Sequence, residues 1–254
     1  MVTARGRLLD RVPARLSLRL RGERNIRRLL GLHAPADLIT GLVPPSRNAI
    51  DVGANRGIYT YWMRKRARHV DAFEPQPALA SYIRRARLRN VRVHETALSD
   101  HAGTAKLLVP GDDGLARIAS SDATDTVSSA AEAELGANTA LGVVTRTLDS
   151  YNLTDVGFLK IDAEGHELAV LRGANDTILG SRPVVFVESE ARHASGAPAN
   201  VIELLLGHHG YRRAAFVRRW ELVDIAEFDV RRDQLALLPD FMDPGYVSNF
   251  VFWP

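Results

Sequence analysis

Residues 50–57, Ile50-Asp51-Val52-Gly53-Ala54-Asn55-Arg56-Gly57, decide the fold. A short apolar run ends in an acidic residue, turns on one glycine, and enters a helical pattern after a second. Glycine permits the tight turn and lets a ligand approach the backbone, while a helix start offers free N–H groups. Working outward, 48–53 reads as a strand, 57–67 as a helix, 70–73 as a second strand, 77–89 as an Arg-bearing helix and 91–95 as a third strand. Residues 156–162, Val-Gly-Phe-Leu-Lys-Ile-Asp, make a fourth strand, followed by a helix through Leu171. A fifth strand at 183–188, a helix at 199–208 and a closing apolar strand at 249–253 complete the pattern. Strands alternating with helices predict an α/β protein, a mostly parallel sheet with helices on both faces.

The glycine spacing narrows the ligand. A dinucleotide fingerprint reads Gly-x-Gly-x-x-Gly. Here Asn55 holds the middle position and the last glycine comes one residue early, so no cradle forms for a pyrophosphate and NAD is disfavoured. The second strand ends at Phe73-Glu74-Pro75, and Glu74 follows the glycine turn by about the 20 residues at which an acid grips a ribose diol. A glycine turn without a pyrophosphate cradle, followed by a ribose-reading acid, fits S-adenosylmethionine (SAM).

These residues resemble the FkbM-type methyltransferases. The matching segments are 50–60, Phe-Glu-Pro-Gln-Pro at 73–77, Ala-Leu-Ser-Asp at 97–100, Thr-Leu-Asp at 147–149, Leu-Lys-Ile-Asp-Ala-Glu-Gly-His-Glu at 159–167 and Val-Leu-Arg-Gly-Ala at 170–174. The resemblance covers roughly 48–190, and the closing Asn-Phe-Val-Phe at 249–252 is similar too. It implies a class I methyltransferase Rossmann-like fold, a seven-stranded sheet whose last strand runs antiparallel. It also implies O-methylation of a hydroxyl on a sugar, glycolipid or polysaccharide, or alternatively on a polyketide or lipid. In that fold Asp51, Gly53, Asn55, Gly57, Tyr59 and Thr60 lie by the methionine part of the cofactor, Glu74 lies on the ribose, and Ala97, Leu98 and Asp100 lie near the adenine.

Ligands of open α/β sheets bind at the carboxyl ends of the strands. The fourth strand end supplies Asp162, Glu164, His166 and Glu167, and the fifth supplies Glu188, Glu190 and His193. Asp162, His166, Glu188 and His193 are the catalytic candidates, because a base accepting a hydroxyl proton adds about 10²–10⁴-fold to the rate. Helix capping is an equally natural use for Glu167. Asp162 and Glu188 could also hold Mg²⁺, although the Asp-Asn pair of metal-dependent relatives is absent after the fifth strand.

Composition sets the remaining bounds. The 254 residues contain no cysteine, which removes disulfides, thiolate nucleophiles and zinc–thiolate sites. No window reaches the ~18 uninterrupted apolar residues of a membrane span. The net charge of +3 divides unevenly: residues 1–30 hold nine Arg against Asp10 and Glu23, a balance of +7, leaving −4 for the rest. Residues 1–47 therefore read as a basic, helical N-terminal arm, either packed on the body or lying on an anionic membrane surface. Residues 48–254 read as the catalytic domain, interrupted at 111–142 by an Ala-, Ser- and Asp-rich insertion that is a lid or disordered. An acidic body whose arm has no aromatic residues disfavours nucleic acid. The expectation is a cytoplasmic enzyme with a small-molecule or glycan acceptor, peripheral membrane contact only through the arm, and room for a homo-oligomer. The different-class rival is a non-catalytic interaction protein on a degenerate SAM fold.

Overall fold

The computed structural model describes residues 13–22, 36–109, 117–118, 139–219, 221–240 and 243–254. Its first strands are β1 (Asn48–Val52), β2 (Val70–Phe73) and β3 (Val91–His94). Four strands of a second sheet follow: β4 (Ala97–Leu98), β5 (Gly103–Val109), β6 (Arg117–Ile118) and β7 (Thr139–Arg146). The chain then returns to the first sheet with β8 (Val156–Ile161), β9 (Val184–Glu188), β10 (Arg213–Arg218), β11 (Glu221–Asp224) and β12 (Asn249–Trp253). The helices that matter here are α1 (Ala14–Gly22), α2 (Ala36–Leu42), α3 (Ile58–Met63), α4 (Pro77–Arg85), α5 (Glu167–Arg172), α6 (Asn175–Ser181) and α7 (Ala199–Glu203).

The main sheet has the order β11-β10-β12-β9-β8-β1-β2-β3. Strands β3, β2, β1, β8 and β9 pair in parallel, and β12 runs antiparallel between β9 and β10. This is the class I methyltransferase sheet, with β12 antiparallel to both of its neighbours, third from the β11 edge. It holds eight strands rather than the seven expected, because β11 folds back antiparallel on β10 and adds an edge. The sequence hid that hairpin: the strands are short, and charged residues sit where they meet, at Arg218, Arg219 and Glu221.

Strand residues alternate between faces, so each face packs its own helices. On one face Ala49, Phe158, Phe186 and Val251 pack with Leu18 of α1, Ile39 of α2, Trp62 and Met63 of α3, and Tyr82 of α4. On the other, Ile50, Val52, Leu159, Ile161, Val185 and Val187 pack with Val170 and Leu171 of α5, Ile178 of α6 and Val201 of α7. Fully burying one such Phe, Ile or Leu contributes roughly 1.5–3 kcal/mol, so the two faces supply most of the folding drive.

Of the basic segment, the described residues form α1. Leu18 and Ser17 are buried, and the Tyr82 hydroxyl donates to Ser17 Oγ at 2.7 Å, while Arg15 and Arg19 face outward. Residues 1–12 and 23–35 lie outside the described residues, as do 111–116 and 119–138 of the insertion. The parts of the insertion that are described, 117–118 and 139–142, are strand. They join the sheet β4-β7-β5-β6, whose small core is Ala97, Leu107 and Val143 backed by Ile118 and Leu141. Among the described residues no helix is long and apolar enough to cross a membrane.

Candidate active site

Residues from both sheets line a cleft at the carboxyl ends of β1, β2 and β8. The lining runs from Gly53 and Asn55 through Glu74, Pro75 and Gln76 to Thr96, Ala97 and Leu98. Leu107 and Ile118 enter from the second sheet, and Asp162, Ala163 and Glu164 come from the end of β8.

The glycine turn is shaped by contact. Gly53 has φ +70°, and a Cβ there would lie 1.8 Å from the Asp162 carbonyl oxygen, so no other residue fits without moving β8. Its amide and that of Ala54 both donate to the Phe73 carbonyl, tying the turn to β2. Asn55 adopts the left-handed region at φ 49°, which turns its own amide onto Glu74. Glu74 then clamps the loop from below. Its Oε2 accepts from the Asn55 amide at 2.7 Å and its Oε1 from the Gln76 amide at 2.8 Å. Each oxygen has a second lone pair, and Glu74 lines the cleft. Burial pushes the Glu74 carboxyl up to about 7, against the pull of those two amides.

Beneath the turn lies a buried charge network. Asp51 on β1 is in register with Lys160 on β8, so the two side chains share a face of the sheet. Lys160 Nζ sits 3.4 Å from Asp51 Oδ1 and 3.2 Å from Asp162 Oδ2. It also donates to the carbonyls of Val52 and Gly53 at 3.3 and 3.2 Å, and lies 4.8 Å from the centre of the Tyr59 ring. Burial alone would depress the Lys160 ammonium, but Asp162 and Asp51 outweigh it and hold it above the ordinary lysine value. Asp51 is fully buried and its carboxyl is raised by that burial, with Lys160 and the Thr60 hydroxyl, 2.5 Å from Oδ2, working against it.

The expected site residues therefore divide. Gly53, Asn55, Glu74, Ala97 and Leu98 line the cleft. Asp51, Gly57, Tyr59 and Thr60 stand behind it: Thr60 holds Asp51, Tyr59 packs on Lys160, Trp62 and Phe186, and Gly57 (φ 76°) starts α3. Asp100 points away, its Oδ1 2.6 Å from His101 Nδ1 and 3.2 Å from Ser99 Oγ.

On the acceptor side, Asp162 lines the cleft and pairs with Lys160. Glu188 is half-buried at the end of β9, and its carboxyl is raised well above the usual range by burial and by Asp162, Glu190 and Glu164. His193 Nδ1 lies 3.4 Å from Glu164 and 3.9 Å from Glu190. His166 is drawn elsewhere, its Nε2 2.9 Å from Ser99 Oγ, and burial lowers its imidazole below the ordinary value. Glu167, the first residue of α5, accepts at Oε1 from the amides of Ala163 and Gly165 in the loop before that helix rather than capping it. Among the described residues no group of three or more His, Asp or Glu side chains is arranged to hold a metal ion, and the cation beside Asp162 is Lys160.

Sequence reasoning missed Lys160, Gln76, Thr96, Leu107 and Ile118. Lys160 carried a signal: one charge inside the otherwise apolar strand Val-Gly-Phe-Leu-Lys-Ile must find a buried partner. Leu107 and Ile118 carried none, since the fold of the second sheet brings them in.

The sheet order, with the glycine turn after β1 and an acid at the end of β2, defines a class I methyltransferase scaffold. A family model for the methyltransferase FkbM domain matches residues 51–213, and the chain belongs to that family. Methyltransferase 1 of Beauveria bassiana (strain ARSEF 2860) is 30% identical over 150 residues, which cover 52% of this chain and 60% of that protein. The crystal structure of methyltransferase FkbM from Methylobacillus flagellatus KT matches with a TM-score of 0.51 at 16% identity, covering 95% of this chain and 58% of that one. The chain thus spans about three-fifths of the length of each of these relatives.

Proposed function

We propose that the chain is a SAM-dependent O-methyltransferase acting on a hydroxyl of a sugar, glycolipid or polysaccharide by direct in-line transfer. The observation that carries this reading is Glu74: it lines the cleft at the end of β2, and each carboxylate oxygen, with one backbone amide already bound, has the capacity to accept a second hydrogen bond. Two adjacent ribose hydroxyls are the natural donors for that pair. Thr96, Ala97, Leu98, Leu107 and Ile118 offer a mainly apolar slot for a purine ring on one side of Glu74, and Asp162 and Glu164 supply acceptors on the other.

When bound, SAM supplies a methyl group made electrophilic by its sulfonium. The protein's share is position and charge. Lys160 neutralises the buried Asp51 and ties down the carbonyls of Val52 and Gly53, which fixes the floor of the cleft. Placing an acceptor oxygen in line with the methyl carbon then supplies much of the rate. Carboxylates at the mouth suit a polyhydroxylated acceptor, because each oxygen accepts a hydroxyl hydrogen bond.

Calorimetry with S-adenosylhomocysteine (SAH) is the direct test. The chain should bind one equivalent, and Glu74→Ala should weaken binding at least about tenfold, the loss of one charge-assisted hydrogen bond or more. A chain that binds no SAH would sink the proposal. Labelled SAM with a panel of sugar acceptors then identifies the acceptor, and methyl transfer undiminished by EDTA excludes a required Mg²⁺.

A further inference from the structure

Several side chains able to accept a proton follow β8 and β9 or end β9, and most are already engaged. Asp162 is paired with Lys160, and Glu167 is used by two backbone amides. Glu190 is buried and held by the Arg192 guanidinium through two bonds of 2.7 and 2.9 Å. Glu188 and His193 do not line the cleft. Glu164 does, and the nearest charged group paired with it is the His193 imidazole at 3.4 Å.

The backbone holds it there. Glu164 itself is left-handed at φ 49°, and Gly165 follows at φ +98°. A Cβ on Gly165 would sit 3.1 Å from both the Cβ and the carbonyl oxygen of His193, so the loop after β8 lies directly against the loop after β9. A non-glycine residue in that region is strained and persists where the surroundings impose it. The consequence here is a carboxylate presented to the cleft beside Asp162.

Resting on the methyl-transfer reading above, we propose that Glu164 is the general base, accepting the proton of the acceptor hydroxyl, with His193 positioning its carboxylate. As the hydroxyl oxygen forms its bond to the methyl carbon, the carbon–sulfur bond breaks and its electron pair stays on sulfur. The hydroxyl proton passes to Glu164 and from there to solvent. The electrostatics support the role. Burial, then Asp162, Glu190 and Glu167, push the Glu164 carboxyl up to about 8, with Arg192 pulling it down; Glu188 and His193 complete the charged groups around it. A base whose pKa lies near the working pH gives the most efficient proton transfer.

The test uses the full chain and Glu164→Gln, an isosteric change that removes the proton-accepting oxygen. Carbon-13 NMR of labelled glutamate carboxyls should show one signal titrating near pH 8 in the unsubstituted protein and absent from the variant. SAH affinity should stay within about threefold, while methylation of any panel acceptor should fall about 10²–10⁴-fold and lose its rise with pH. His193→Asn should lower the midpoint or amplitude of that pH profile without abolishing turnover. The proposal is overturned if Glu164→Gln methylates within about threefold of the parent, or if the Glu164 carboxyl titrates below about pH 6. Failure of the parent chain to bind SAH would instead remove the methyl-transfer reading, a separate outcome.

Discussion

At the residue scale, the proposed cofactor contact rests on Glu74. Burial pushes its carboxyl up to about 7, and only the ionised form can accept from two hydroxyls while holding two amides. SAH affinity should therefore fall as the pH drops below 7, by about tenfold per unit at most, and Glu74→Gln should flatten the curve. Calorimetry at several pH values reads both. Gly53 and Lys160 act through geometry and charge. Gly53→Ala drives a methyl group into the Asp162 backbone, so the urea midpoint should fall, at a cost of roughly 2 kcal/mol or more. Lys160→Met leaves the buried Asp51 and the half-buried Asp162 without their cation, and breaking the buried pair with Asp51 costs roughly 3–5 kcal/mol. Glu74 was readable from its place after the second strand. Lys160 was not assigned a role because its partners become adjacent only when β1 and β8 pair in register.

At the scale of elements, α1 ties the basic N-terminal segment to the body. Leu18 is fully buried beside Trp62 and Phe158, so Leu18→Ala should destabilise by roughly 2–5 kcal/mol, the usual range for a core leucine. Tyr82→Phe removes only the bond to Ser17 and should cost about 1 kcal/mol. Thermal unfolding of the two variants checks the ranking; equal and negligible effects would mean α1 contributes nothing to the body. Elements with long apolar periodicity were legible, including β1, β2, β8, β9 and β12. The hairpin of β10 and β11 was not, because β11 is stabilised by pairing along β10 rather than by a buried face of its own.

For the whole molecule, the raised carboxyls set a pH dependence of stability. Glu74 and Glu167 are pushed up to about 7, Glu164 to about 8, and Glu188 well above its ordinary value, each chiefly by burial. The folded state thus keeps protons that the unfolded state has released, and stability falls as pH rises through those values. His166 and His209 are lowered by burial and act oppositely, but only below about pH 6.5. Urea unfolding should therefore show stability decreasing from about pH 6.5 to 8.5, and Glu164→Gln should reduce that slope. The sequence by itself determined the α/β alternation, the glycine turn and the acid after the second strand, because these depend on local periodicity and on residues with special backbone freedom. Only the tertiary structure decided that Lys160 neutralises Asp51, that His166 faces Ser99 and not the cleft, that a second sheet lends Leu107 and Ile118, and that Glu164 fronts the mouth. Those relations join residues far apart in the chain, and strand register and loop apposition, not local sequence, bring them within a few ångströms.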